Sequence, residues 1–95
     1  MTMRYKIYYF PGIKENMRYF PPDIKQLVRA ALEEIEKKPH AGTPLERELS
    51  GLWKYRAKRY RIVYEIVSNK REIIVLLIDK RETVYDRLKV LLANS

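Results

Sequence analysis

The sequence contains no cysteine, so neither a disulfide nor a thiolate site is available to it, and a cytosolic compartment is the natural expectation. It has one histidine, His40, and no obvious pair of carboxylates or metal-ligand set, which removes the usual signatures of acid–base or metal-assisted hydrolysis. Long apolar runs are missing too. The longest is Ile73 to Ile78, six residues, against about twenty needed to cross a bilayer as a helix. The start, Met1-Thr2-Met3-Arg4, leads directly into an alternating segment without an apolar secretory core. These absences predict a soluble, cytoplasmic protein with no membrane partner. No repeat, low-complexity stretch or linker divides the chain. Its 95 residues suit a single domain over 1–95 with one modest core.

Acid is scarce relative to base: 12 Asp+Glu face 20 Lys+Arg, a formal charge of +8. The excess is uneven. Residues 21–50 are nearly neutral, with five basic and six acidic residues, whereas residues 51–95 carry eleven basic and five acidic. The densest cluster is Lys54, Arg56, Lys58, Arg59 and Arg61. Such a patch attracts polyanions over about 8 Å at physiological salt. A solvated strand face is the ordinary explanation for such charges, but the near-neutral middle argues against base spread merely for solubility. Nucleic acid is the first partner to expect, an anionic protein the second.

The elements follow from periodicity and breakers. Arg4 to Phe10 reads as a strand, broken by Pro11-Gly12, and Ile13 to Phe20 as a short helix. The clearest helix spans Pro22 to Lys37, with Ile24, Leu27, Val28, Ala31, Leu32 and Ile35 on its apolar side, Pro22 and Asp23 suited to its start and Pro39 stopping it. Trp53–Ala57, Tyr60–Val67 and Glu72–Asp79 read as a meander of three strands, the last of them central because Ile73–Ile78 is apolar on both faces. Arg81 to Leu92 closes as a helix with Val84, Leu88, Leu91 and Leu92 on one side. The order β-α-α-β-β-β-α predicts an α+β fold: a mainly antiparallel four-stranded sheet packed against two N-terminal helices.

Residues two apart on a strand share a face, so Lys54 and Arg56 project together, and Arg61 can lie beside Arg56 if the strands pair as a meander. Arg81 follows the last strand, and Tyr85 comes one helical turn later. Fixed cations stabilise the charge that spreads over phosphate oxygens during phosphoryl transfer, and arginine offers forked contacts without acting as a base. Lys58 and Arg59 fall in a turn suited to steering RNA, and Lys80 adds a further cation. His40 reads as an ordinary loop residue away from the basic strands. Glu65 reads as balance for Arg61 more readily than as a base. Trp53, Tyr60 and Tyr64 read as packing residues. On composition and spacing alone the reading ends at a basic α+β domain that binds RNA or phosphate.

Three segments resemble those of the RelE branch of the RelE/ParE toxin superfamily: Leu49-Ser50-Gly51-Leu52-Trp53-Lys54-Tyr55-Arg56, Tyr60-Arg61-Ile62-Val63-Tyr64 and Lys80-Arg81-Glu82-Thr83-Val84-Tyr85. The helix ending Lys37-Lys38-Pro39, followed by Gly42-Thr43-Pro44-Leu45, is similar to the family's layout. This resemblance implies a toxin held inactive by a small cognate antitoxin. It implies cleavage of mRNA in the ribosomal A site without metal or other cofactor, by attack of a ribose 2′-hydroxyl on the adjacent phosphate. Lys54 would be base or electrostatic helper and Arg56 a phosphate contact. Arg61 and Arg81 would stabilise the transition state, and Tyr85 would stack on a base. Some relatives carry a histidine where this chain has Lys80. The alternatives are a ParE-like poison of DNA gyrase and a noncatalytic module that binds RNA or antitoxin.

Overall fold

The computed structural model describes residues 4–94; the Met1-Thr2-Met3 stretch read above for a leader lies outside the described residues. The chain runs β1 (Lys6–Tyr9), α1 (Ile13–Met17), α2 (Pro22–Lys37), β2 (Thr43–Pro44), β3 (Leu52–Ala57), β4 (Tyr60–Val67), β5 (Glu72–Lys80) and α3 (Val84–Ala93). Short 3-10 turns at Pro39–Ala41, Arg47–Leu49 and Ser68–Lys70 join them.

The α+β class, the helices and the meander are those the sequence predicts, but the sheet has five strands in the order β1-β5-β4-β3-β2. Three ladders are antiparallel, while β1 pairs β5 in parallel, with Lys6 opposite Glu72 and Tyr9 opposite Val75. The sequence could not reveal the fifth strand, because the two residues of β2 are too short to show any alternation. Nor could it reveal the parallel pair, because β1 and β5 are separated in the chain by both N-terminal helices and three further strands. β5 is an interior strand between β1 and β4, as its two-sided apolar run requires, and Ile73, Val75, Leu76, Leu77 and Ile78 are all buried.

α2 lays Ile24, Val28, Ala31, Leu32 and Ile35 into the core. Pro22 opens the helix where a missing N–H costs nothing, and Asp23 sits at its positive end. Leu27, expected on the same stripe, is 41% exposed; it looks past the outer edge of β3, beside Tyr55 and Ala57. On the sheet, Tyr60, Ile62, Tyr64, Ile73 and Val75 face the α1–α2 side, and Phe20 meets the Tyr60 ring at 5.0 Å between centroids. The packing roles expected of Tyr60 and Tyr64 therefore hold.

α3 covers part of the other face, burying Val84 and Leu88 fully and Leu91 partly. Leu92 is exposed rather than part of that stripe. The helix also starts later than Arg81. The Arg81 amide still donates to the Arg59 carbonyl at 2.9 Å, extending the strand, and Thr83 donates to Lys80 in a turn, so helical bonding begins only at Val84. Arg81 thus stands at the strand end and Tyr85 is the second residue of α3. Among the described residues no helix is long and apolar enough to cross a membrane.

Candidate nucleic-acid interface

In the β3–β4 ladder Arg56 lies directly opposite Arg61, and Lys54 opposite Val63, so Lys54, Arg56 and Arg61 share the face that α3 partly covers. Like charges facing each other across a ladder oppose pairing. Arg61 relieves part of that strain by turning toward the hairpin end, where its Nη1 donates to the carbonyls of Lys58 at 2.9 Å and Tyr60 at 2.8 Å. Those two bonds fix the guanidinium while leaving its Nε and Nη2 donors for another acceptor.

Lys54 is half-buried beside the apolar row of Val63 and Leu77, over which α3 packs. Its Nζ lies 5.9 Å from the centroid of the Tyr85 ring. At that separation the attraction is worth about 0.5–1 kcal/mol, enough to orient an amine without immobilising it. The residues that the structure brings together are therefore Arg56 with Arg61, and Lys54 with Tyr85.

Four other basic residues lie near the hairpin end of the sheet, and one of them, Lys80, pairs with Tyr60 and so belongs to the α2 face rather than to the face of Arg61. Arg81 is exposed, and its Nε contacts Glu82 Oε1 at 3.1 Å. Lys58 reaches Asp23 of α2 at 3.7 Å, both side chains more than half exposed. Arg59 lies over the Tyr60 ring at 5.8 Å, and Lys80 is exposed opposite Tyr60. Lys58 and Arg59 do form the expected turn, with Lys58 at φ 58°, a left-handed conformation that costs a non-glycine residue about 1 kcal/mol or more. Glu65 pairs across from Leu52 and Ile74, away from the Arg56–Arg61 row.

Beneath Lys54, its backbone is held from the loop side. The Tyr64 hydroxyl, fully buried, donates to the Pro39 carbonyl at 2.7 Å and accepts from the Gly42 amide at 3.2 Å. Gly42 is packed so closely that a Cβ there would strike the Lys54 carbonyl and the Tyr64 hydroxyl. Burial pushes the Tyr64 phenol up to about 12, partly offset by the Gly42 hydrogen bond. His40, in the same loop, is not remote from the basic strands: its ring meets Trp53 of β3 edge-on at 5.0 Å. Trp53 alternates with Lys54, so this contact lies on the opposite face.

Two acidic residues escaped the sequence reading. Glu82 pairs with Arg81, and Asp79 lies opposite Arg61 in the β4–β5 ladder. Asp79 could be found only from the register, since its placement depends on a bulge in β5. Among the described residues no three His, Asp or Glu side chains gather where they could hold a metal ion.

A family model described as the ParE toxin of the type II toxin-antitoxin system, parDE, matches residues 12–85. The chain belongs to the RelE/ParE toxin superfamily. The toxin is 29% identical over 87 residues to Toxin RelG of Mycobacterium tuberculosis (strain ATCC 25618 / H37Rv), covering 90% of this chain and 100% of the relative. Among solved structures it is similar to the toxin-antitoxin complex RelBE2 of Mycobacterium tuberculosis, with TM-score 0.71, 28% identity, and coverage of 82% of this chain and 99% of the other. An archaeal RelE-RelB complex from Pyrococcus horikoshii OT3 shares the fold, with TM-score 0.67 at 17% identity over 85% of this chain and 97% of the other.

Proposed function

We propose that this toxin is an endoribonuclease that cuts mRNA in the ribosomal A site and so inhibits translation in the cytoplasm. The observation that carries the proposal is the row of Arg56 opposite Arg61, with Lys54 on the same face and its ammonium 5.9 Å from the Tyr85 ring. This arrangement suits a reaction in which a ribose 2′-hydroxyl attacks the neighbouring phosphate. The attacking oxygen gives up its proton as the new P–O bond forms, and the departing 5′ oxygen gains one as the old bond breaks, leaving a cyclic phosphate and a free 5′-hydroxyl. Arg56 and Arg61 hold the phosphate and offset the charge that builds on its oxygens. Lys54 assists at the attacking hydroxyl. Tyr85 offers a face on which a splayed base stacks. Arg81, released from Glu82, completes the set at the strand end, and Lys58, Arg59 and Lys80 steer the RNA toward it. Chemistry carried by fixed cations calls for no metal.

A cognate antitoxin is the second partner. The structural relative RelBE2 is a toxin-antitoxin complex, and the archaeal RelE is likewise in complex with a second protein, RelB; an acidic segment that covered the basic row would silence it. A gyrase-poisoning reading is favoured by one observation, the ParE name of the matching family model. Expression of the toxin alone should arrest growth, and co-expression with the reading frame beside its gene should restore it. Mapping mRNA ends on purified ribosomes, at a magnesium concentration that keeps them assembled, should show cuts in the A site. Inhibited supercoiling with intact mRNA would instead establish the gyrase reading.

A further inference from the structure

We infer that Asp79 is a positioning residue: together with Thr83 and Arg87 it forms a clasp that sets Tyr85 over Lys54. This rests on the nuclease reading for its functional consequence, but the clasp itself stands on geometry. Between Val63 and Tyr64 the β4–β5 register shifts, with Val63 opposite Leu77 but Tyr64 opposite Val75, so β5 carries one extra residue, Leu76. That extra residue reverses the phase of β5. Ile74 lies opposite Glu65 before the bulge, and Asp79 lies opposite Arg61 after it, so an odd-numbered residue takes the site face that an even-numbered one held. Without the bulge Asp79 would point to the α2 side.

Once on the site face, the carboxylate is not given to Arg61, whose Nη1 is engaged by the hairpin carbonyls. A single oxygen, Asp79 Oδ2, accepts from Thr83 Oγ1 at 2.7 Å and contacts Arg87 Nη1 at 3.2 Å. The Asp79 side chain is only 14% exposed. Thr83 is the residue that caps α3, and a threonine there ordinarily accepts from an amide of the first turn. Here it makes no such cap bond and donates to Asp79 instead. The forgone cap is replaced by a shorter, charge-assisted bond. The result is that β5, the turn, and the first turn of α3 are locked at one point, with Thr83 and Arg87 flanking Tyr85 on either side in sequence. It also keeps a carboxylate occupied where it would otherwise neutralise the arginine row.

The test uses Asp79→Ala, and Thr83→Val in case the first does not fold. Thr83 is exposed, and valine keeps its shape without the hydroxyl. Each is made in the wild-type and Tyr85→Ala backgrounds, with Thr83→Ser as the conservative rescue. NMR reads the ring-current shift that Tyr85 imposes on the Lys54 side chain, and single-turnover cleavage of ribosome-bound mRNA reads the rate. Thr83→Val should lose the Lys54 shift and slow cleavage roughly threefold to tenfold, the scale of one hydrogen bond. It should have no further effect once Tyr85 is alanine, and Thr83→Ser should keep both signals. An unchanged Lys54 shift, or equal slowing in both backgrounds, overturns the clasp. If the wild-type toxin cuts no RNA, the nuclease reading falls while the Lys54 shift still decides the clasp.

Discussion

Replacing Tyr64 by phenylalanine removes one oxygen from the fully buried interior and leaves the ring in place. Two groups then lose their partner: the Pro39 carbonyl, which now accepts at 2.7 Å, and the Gly42 amide, which now donates at 3.2 Å. Losing such bonds costs roughly 1–3 kcal/mol near neutral pH. The pH dependence is more diagnostic. Burial raises the folded-state value of this phenol from 10.0 to about 12, so the folded protein keeps a proton that the unfolded chain has lost. The stabilisation is therefore complete below about pH 10 and is lost as pH rises toward 12, with a scale of roughly 2–3 kcal/mol for a shift of that size. Denaturant unfolding of the wild type and Tyr64→Phe across this window supplies the measurement. Other groups titrate there too, including Tyr9, whose phenol is raised by burial and by Glu36, but they do so in both proteins and cancel in the difference. The stability gap between the two should narrow steadily from about pH 10 upward. A gap that stays constant through the window would refute the account of Tyr64 as a buried, neutral hydrogen-bonding post.

Gly42→Ala should destabilise by about 1–3 kcal/mol through overpacking against the Lys54 carbonyl and the Tyr64 hydroxyl, and a thermal melt should show it. Arg61→Ala should slow RNA cleavage by about a hundredfold or more, the scale of losing one preorganised donor. Its melting temperature should change little, because removing a charge opposite Arg56 offsets the lost packing. Glu82→Gln should speed cleavage about twofold, since Arg81 must leave an exposed pair worth under about 1 kcal/mol; slower cleavage would mean that Glu82 orients Arg81. Tyr85→Ala should slow single-turnover cleavage roughly tenfold to a hundredfold while Tyr85→Phe keeps most of the rate. A Phe variant as slow as the Ala variant would assign the role to the hydroxyl instead of the ring.

Elements with a strong period were legible in the sequence. The limits of α2 and β4 agree residue for residue with the pattern of apolar positions and breakers, and the opposition of Arg56 and Arg61 follows from alternation plus a two-residue hairpin. Features that depend on distant partners were not legible. β1 pairs in parallel with a strand at the other end of the chain. His40 approaches Trp53 only because Tyr64 and Gly42 pull its loop onto the sheet. α3 starts at Val84, later than its periodicity predicts, because Arg81 bonds to the hairpin and Thr83 to Asp79, contacts that no helical periodicity encodes. Asp79 itself could not be assigned to a face, because one bulged residue reverses the alternation on which any such assignment rests.

The local conflicts in this fold are concentrated at one end of the sheet. Two arginines face each other across a ladder, a lysine adopts φ 58° in the adjoining turn, and the capping threonine of α3 leaves its cap. Each costs stability on its own. A left-handed residue is not by itself distinctive, since Arg47 and Arg71 share that conformation in other turns. What distinguishes this end is that all three conflicts involve Arg61 itself or a residue within three positions of Arg61, Arg81 or Tyr85. The opposite face shows the reverse: α2, Ile62, Tyr64, Ile73 and Val75 form a core with no buried polar side-chain atom left unpaired among the described residues. Local rules are kept where the chain needs only to fold and broken where it holds cations in fixed positions. That division is expected when a core stabilises a site whose groups repel one another.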